Sequence, residues 1–324
     1  MVDNTSTDHY DFLAHVFQSC FIAVISIAGS IGNALVLVAM CTSSKLRNCT
    51  NAFIGNLAIA DFFNCLVLPM NIVAIVSVDL WPLHDGVCMM SSLVLITCTV
   101  SSFYSLASVA YVRYIIVTKP SAKIPTLVNN NIAAIFVTCN WIVSLTTAFL
   151  PIISGIVQLG YDSKYHICLW DTTGHGHVIY SGIFAMIIIP IPLGSMAYFY
   201  IAIYLFIKKE AKKITPTMQA STLQLQSCSQ NSVPASIVNL RKRNIDVTKN
   251  LFIVVLAFVI CAIPHSLAII IPNTTDIIPY TAIVFNCTSC INPLIYARKL
   301  PEYRRVISRM CSLSNPDAVH DISQ

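Results

Sequence analysis

Seven stretches, at residues 15–41, 51–78, 87–118, 131–156, 177–207, 248–271 and 277–297, constrain this chain more than anything else in it. Each is apolar and longer than the ~20 residues a helix needs to cross ~30 Å of hydrocarbon. No water reaches backbone amides there, so such stretches must be helices that satisfy their own hydrogen bonds. Charged residues make up 10% of the 324, against about 25% in soluble domains. The expected fold is therefore an all-α membrane protein, a seven-transmembrane helix bundle, closed by a short amphipathic eighth helix at 300–311.

Basic residues set the orientation. With residues 1–14 outside, Lys164 alone of the 19 Lys and Arg lies on the outer face. The opening MVDNTSTDHYDFLAH lacks a basic n-region, so the first span is expected to act as its own signal-anchor. Eight aspartates (3, 8, 11, 79, 85, 162, 171 and 276) make the outer face acidic, and solvated loop charges are the simplest account of them. Of 13 cysteines only Cys88 and Cys168 fall on that oxidising face, which predicts one disulfide between them. Asn4, in Asn-Thr-Ser, is the expected glycosylation acceptor; Asn273 lies too near the bilayer.

The third stretch runs from Cys88 to Arg113 without a charge between. Thr97, Thr99, Ser101, Ser102 and Ser105 are small polar residues that let neighbouring backbones approach and hydrogen-bond across helices, marking a central helix. In the second stretch Asp61 is the one buried acid, costing roughly 2.5–3.5 kcal/mol unless it faces a polar interior. Asn33, Ser102, Ser289 and Asn292 are its expected company, an oxygen-rich group suited to a sodium ion. His84, His166, His175 and His177 could form a proton sensor or a metal site, but no helical ligand spacing supports one.

Residues 208–247 are rich in Ser, Thr and Gln and read as a largely disordered third cytoplasmic loop with phosphorylation sites. In KLPEYRRVISRMC, Leu300, Tyr303, Val306 and Ile307 are expected toward the membrane and Arg304, Arg305 and Arg309 toward lipid headgroups. Cys311 is a candidate palmitoylation site, and 312–324 form a cytoplasmic tail.

Gly32-Asn33, Leu57-Ala-Ile-Ala-Asp61, Cys88, Arg113-Tyr114, Trp141, Cys168, Pro192 with Tyr200, Phe258-x-x-Cys261-x-x-Pro264 and Asn292-Pro-x-x-Tyr296 occur in this order. The set resembles the rhodopsin-like (class A) G-protein-coupled receptor family over residues 20–311, within a receptor domain at 15–311. The resemblance implies no enzymatic activity and no cofactor beyond an allosteric sodium ion at Asp61, Ser102, Ser289 and Asn292. It implies an extracellular ligand, a heterotrimeric G protein, arrestin and receptor kinases as partners, lipids around the bundle, no nucleic acid, and a multi-pass place in the plasma membrane. Arg113, Tyr114, Tyr200 and Tyr296 would rearrange to admit the G protein. Phe103, Pro192, Phe258, Ala262 and Pro264 would form the core switch.

Three positions depart from the family pattern. Val112 stands where an acid usually precedes the arginine, Asn244 where many members have glutamate, and Ala262 where an aromatic usually lies two residues before the kink proline. Without those acids a raised basal activity is expected.

By the family's geometry the ligand pocket would comprise Asn71, Leu95, Ile96, Thr99, Trp170, Tyr180, Phe184, His265, Ile269 and Asn286, an uncharged, apolar set suited to a neutral small molecule or peptide end. Leu95 occupies the place of the aspartate in amine receptors, which disfavours an amine. Asn286 occupies the place of the Schiff-base lysine in light-sensing opsins, which excludes covalent retinal. KLRNCTNAF and EYRRVISRMC look like the melatonin-receptor branch, although Asn292-Pro293 is intact. A receptor-fold protein that does not couple to G proteins, arrestin-biased or a scavenger, and a transporter are the rival readings. No internal repeat supports the transporter.

Overall fold

Helix starts are written into the side chains that cap them. Asn48 Oδ1 accepts from the Asn51 amide at 3.0 Å, His84 Nδ1 from Gly86 at 3.1 Å and Asn129 Oδ1 from Ile132 at 2.9 Å, each taking up an amide with no partner inside its helix. The computed structural model describes residues 4–77, 81–172, 176–223, 235–271 and 277–313, apart from the side chains of some of them. The expectations for the Asn4, Asn244 and Cys311 side chains, and for His175 and Asn273, lie outside what it describes.

In chain order the helices are α1 (Asn4–Thr42), α2 (Cys49–Val76), α3 (Asp85–Thr118), the short α4 (Ile124–Leu127), α5 (Asn130–Ile153), α6 (Gly176–Ile183), α7 (Pro190–Leu223), α8 (Ala235–Ile270), α9 (Ile278–Asn286), α10 (Thr288–Lys299) and α11 (Pro301–Leu313). Seven spans result, the fifth from α6 and α7 together, the seventh from α9 and α10. The third is the most enclosed of them, with Ser101, Ser102 and Ser105 all buried. Asn56 Nδ2 donates to Ser105 Oγ at 2.7 Å while Asn56 Oδ1 accepts from Trp141 Nε1 at 2.7 Å, so one amide links spans two, three and four.

Prolines shape the spans through the carbonyl four residues earlier, which loses its amide donor. Pro69 frees the Cys65 carbonyl, and Ser26 Oγ donates to it at 2.7 Å. Pro293 frees the Ser289 carbonyl, and Asn33 Nδ2 donates to it at 2.8 Å. Pro151 frees the Thr147 carbonyl, and Tyr180 Oη donates to it at 3.2 Å. In each case the replacement donor comes from a neighbouring span, the remedy available where no water is at hand. Gly32 makes the second pairing reachable, since a Cβ there would stand 2.7 Å from the Pro293 ring. Between α6 and α7, residues Phe184–Ile188 form a π-helical turn, with Ile189 N bonded to Phe184 O at 3.1 Å just ahead of Pro190.

The loop after the fourth span is a β-hairpin, β1 (Leu159–Asp162) antiparallel to β2 (Ile167–Trp170), with Tyr161 opposite Cys168. Two expectations are corrected. Much of 208–247 is helical, because α7 runs on to Leu223 and α8 starts at Ala235; extending an existing helix through Ser, Thr and Gln is cheap beside nucleating one. Leu300, just ahead of α11, and Tyr303 on it are buried and Val306 and Ile307 pack on the main core, so this apolar face meets the bundle instead of lipid.

Candidate functional site

The β-hairpin is the lid of the site. Asp162, counted above among solvated loop charges, is 1% exposed. Its carboxylate accepts from the amides of Lys164, Tyr165 and Thr172 and from Thr172 Oγ1, closing the hairpin turn as an Asx turn does. His166, at φ 51°, completes the turn in the left-handed region, and its Nδ1 lies 2.8 Å from Tyr161 Oη. Burial first, then the His15 ring 5.7 Å away, hold the His166 imidazole below its ordinary pKa, with the Asp162 charge pulling weakly upward. The Cys88–Cys168 disulfide pins the hairpin to the top of α3, and Asn71 Oδ1 accepts from the Cys168 amide at 2.9 Å.

Under the lid lies a cavity of about 610 Å³. Asn71, Leu95, Ile96, Thr99, Trp170, Phe184, His265, Ile269 and Asn286 line it. Tyr180 does not: it is buried with its hydroxyl committed to Thr147 O and its ring edge-on to Trp170, because the carbonyl freed by Pro151 takes the one polar atom it has. The wall is not uncharged either, for Lys164 lines it. Lys164 stands out in the sequence as the one basic residue outside, but only the turn made by Asp162 brings it over the opening. His177 also lines the cavity, and His84 caps α3; among the described residues no three His, Cys, Asp or Glu side chains gather as a metal site.

The cavity floor continues into an aromatic column. His265 stacks on Phe285 with centroids 5.5 Å apart, Phe285 lies 6.1 Å from Phe103, and Phe103 meets Phe258 edge-on at 4.6 Å. Phe285 went unnoticed in the sequence because an aromatic in a span carries no signal of which way it faces. Ala262 and Pro192 are buried, whereas Pro264 is exposed on α8.

Midway down, Asp61 is 1% exposed and fully bonded: Ser102 Oγ donates to Oδ1 at 3.0 Å, Ser289 Oγ to Oδ1 at 3.2 Å and Asn292 Nδ2 to Oδ2 at 2.8 Å. Asn33 joins through the Ser289 backbone, not through Asp61, since the Ser289 carbonyl freed by Pro293 claims its amide. Its Oδ1 is buried without a partner. At the far end Arg113, Tyr200 and Tyr296 are all buried, with Arg113 Nε and Tyr200 Oη lacking any hydrogen-bond partner. Tyr114 sits at the edge with Lys119 Nζ 5.8 Å above its ring. Val112, 1% exposed, offers Arg113 no charge.

A family model, 7 transmembrane receptor (rhodopsin family), matches residues 32–296. Similar proteins include melanopsin of Rutilus rutilus, 26% identical over 91% of this chain and 58% of that one. Trace amine-associated receptor 8c of Rattus norvegicus is 26% identical over 90% of this chain and 84% of its own length, and the allatostatin-A receptor of Bombyx mori 25% over 86% and 74%. The chain spans only 48–60% of the length of the first three melanopsins it matches. Among solved structures, squid rhodopsin superposes with a TM-score of 0.77 at 17% identity, covering 94% of this chain and 87% of that one, a likeness of fold. With the match covering most of the chain, from within the first span to within the seventh, the chain belongs to the rhodopsin family of seven-transmembrane receptors.

Proposed function

We propose that the chain converts binding of a non-amine ligand in the hairpin-covered cavity into activation of a heterotrimeric G protein at the Arg113 end. The observation that carries this reading is the continuous path from His265 in the cavity wall through Phe285 and Phe103 to Phe258. A ligand pressing on the floor shifts packed rings that cannot deform continuously, and such cores switch between discrete arrangements. The disulfide belongs on the oxidising side of the plasma membrane, so the cavity faces outward with the N-terminus and Arg113 faces the cytoplasm.

The names of relatives that mention trace amines do not transfer. No acidic residue lines the cavity among the described residues, and Leu95 is apolar, so an ammonium group would be desolvated there without a counter-charge. Asn286 offers no amine for a Schiff base, which sets covalent retinal aside despite the melanopsin and rhodopsin likeness.

Asp61, Ser102 and Ser289, beside the orphaned Asn33 oxygen, form a set of hard oxygen donors that fits sodium. Bound there, the ion would supply a counter-charge to the Asp61 carboxylate. These residues tie spans two, three and seven together in the arrangement described.

The resting state lacks an acidic partner for Arg113 at Val112, so ligand-independent coupling is raised. The test is nucleotide exchange on a panel of G proteins, measured in membranes of cells expressing the chain without added ligand. Exchange above mock-transfected membranes that is lost in Arg113→Ala supports coupling. Exchange equal in both, with equal surface expression and with arrestin recruited, points to a receptor that does not couple.

A further inference from the structure

The rim of the cavity, its body and its side differ in chemistry. At the rim stands Lys164, exposed, its Nζ 5.0 Å above the Tyr165 ring. The nearest acid in sequence, Asp162, spends both carboxylate oxygens on Thr172 and on backbone amides and forms no ion pair with Lys164. The positive charge is thus held over the opening unneutralised by any described side chain. The body below is walled largely by Ile22, Ile75, Leu95, Ile96, Ile269 and Ile283.

The side is exposed. Val178 and Met186 line the cavity yet are 64% and 69% exposed, on the surface that meets lipid tails. Between them Gly182 lines the same wall, with nothing within 4 Å of where its Cβ would be. At these three residues of the fifth span the cavity wall is also part of the exposed surface.

Building on the receptor reading above, we infer that the ligand is a single-chain amphiphile with an anionic head: the head sits at Lys164, and the acyl chain fills the isoleucine-lined body after entering past Gly182. Charge complementarity selects the head, since a cation with no described acidic partner favours an anion and rejects a second cation. The volume lies inside the ~300–1,000 Å³ range of small-molecule sites and suits one chain rather than a two-chain lipid. The exposed side suits a molecule already dissolved in the membrane.

The experiment uses the full-length chain in nanodiscs and a photoreactive, clickable diazirine palmitate, with labelling mapped to peptides of 159–189. Unlabelled oleate, oleyl phosphate and oleyl alcohol compete. Saturable labelling, competed at least tenfold better by either anion than by the alcohol and reduced about tenfold in Lys164→Gln, is the expected result. Whichever anion competes better identifies carboxylate or phosphate as the head. Gly182→Phe should slow labelling in the intact bilayer but not in detergent.

Equal competition by the alcohol, or labelling unchanged in Lys164→Gln, overturns the inference. Both variants alter residues on open surface, so a folding loss would show in thermal unfolding of the same samples. The Arg113-dependent exchange assay needs no ligand, so failure of the receptor reading is scored separately from failure of this one.

Discussion

Tyr180 and Pro151 are coupled through an atom belonging to neither: the Thr147 carbonyl, which Pro151 leaves without an amide, accepts the Tyr180 hydroxyl at 3.2 Å. Tyr180→Phe keeps the ring against Trp170 and removes only that donor. The cost lies between ~0.6 kcal/mol, typical of an interhelical hydrogen bond in lipid, and ~3 kcal/mol for an orphaned buried carbonyl. In a Pro151→Ala background, where the backbone donor returns, the same change should cost less. Thermal unfolding of the four purified proteins completes the cycle, and an equal cost in both backgrounds would show the bond to be incidental.

Val112→Asp places an acid next to Arg113, whose Nε has no partner. An ion pair worth ~0–1 kcal/mol shifts the resting population by up to about fivefold, so ligand-independent nucleotide exchange should fall within that factor. Unchanged exchange at equal surface expression would count against a role for the missing acid.

Asp61→Asn removes the charge that sodium would neutralise and turns one amide N–H against the Asn292 donor. The unfolding temperature of the wild-type chain should rise when sodium chloride replaces choline chloride, and that of the variant should not. An identical response in both would remove Asp61 from the sodium account.

Acidification should loosen the lid. His166 is held below its ordinary pKa by burial and by His15, so the unfolded chain binds the proton more readily. The stability it contributes is present above the unfolded pKa of ~6.5 and is lost as pH falls from there through the folded value. Between pH 7.5 and pH 5, hydrogen exchange at 159–170 should accelerate more in the wild type than in His166→Gln; equal acceleration would assign the effect to other groups.

Cys88→Ser opens a loop of 80 residues. Loss of such a link costs about 2–5 kcal/mol and frees the hairpin at Cys168. Reduced surface expression and a lower unfolding temperature are expected; an unfolding temperature equal to wild type would mean that the Asn71 bond to the Cys168 amide holds the hairpin alone.

The spans, the disulfide and the Asp61 cluster were legible because each rests on a strong local rule: length of apolar run, oxidising face, cost of a buried acid. The β-hairpin was not, because LGYD and ICLW are four residues each and their pairing is decided by the Asp162 turn between them. Tyr180 was misplaced for a related reason. Its direction depends on a carbonyl 33 residues away that only a proline on another helix leaves bare. Lys164 was visible as a charge but not as a cavity residue, since a loop charge acquires an address only when the loop folds.

The π-helical turn at Phe184–Ile188 inserts one residue more than a regular helix would use. Each residue of an α-helix advances the surface by ~100°, so everything after Ile188 is turned by that amount relative to Gly182 above it. Deleting a single residue from this turn would restore the regular α-helical residue count ahead of Pro190. Yet it would swing Phe199 and Tyr200 out of register with the third span, where Phe199 now meets Tyr111 and Tyr114. The fifth span is in this sense a shaft with a phase offset cut into it, one end timed to the cavity and the other to the arginine.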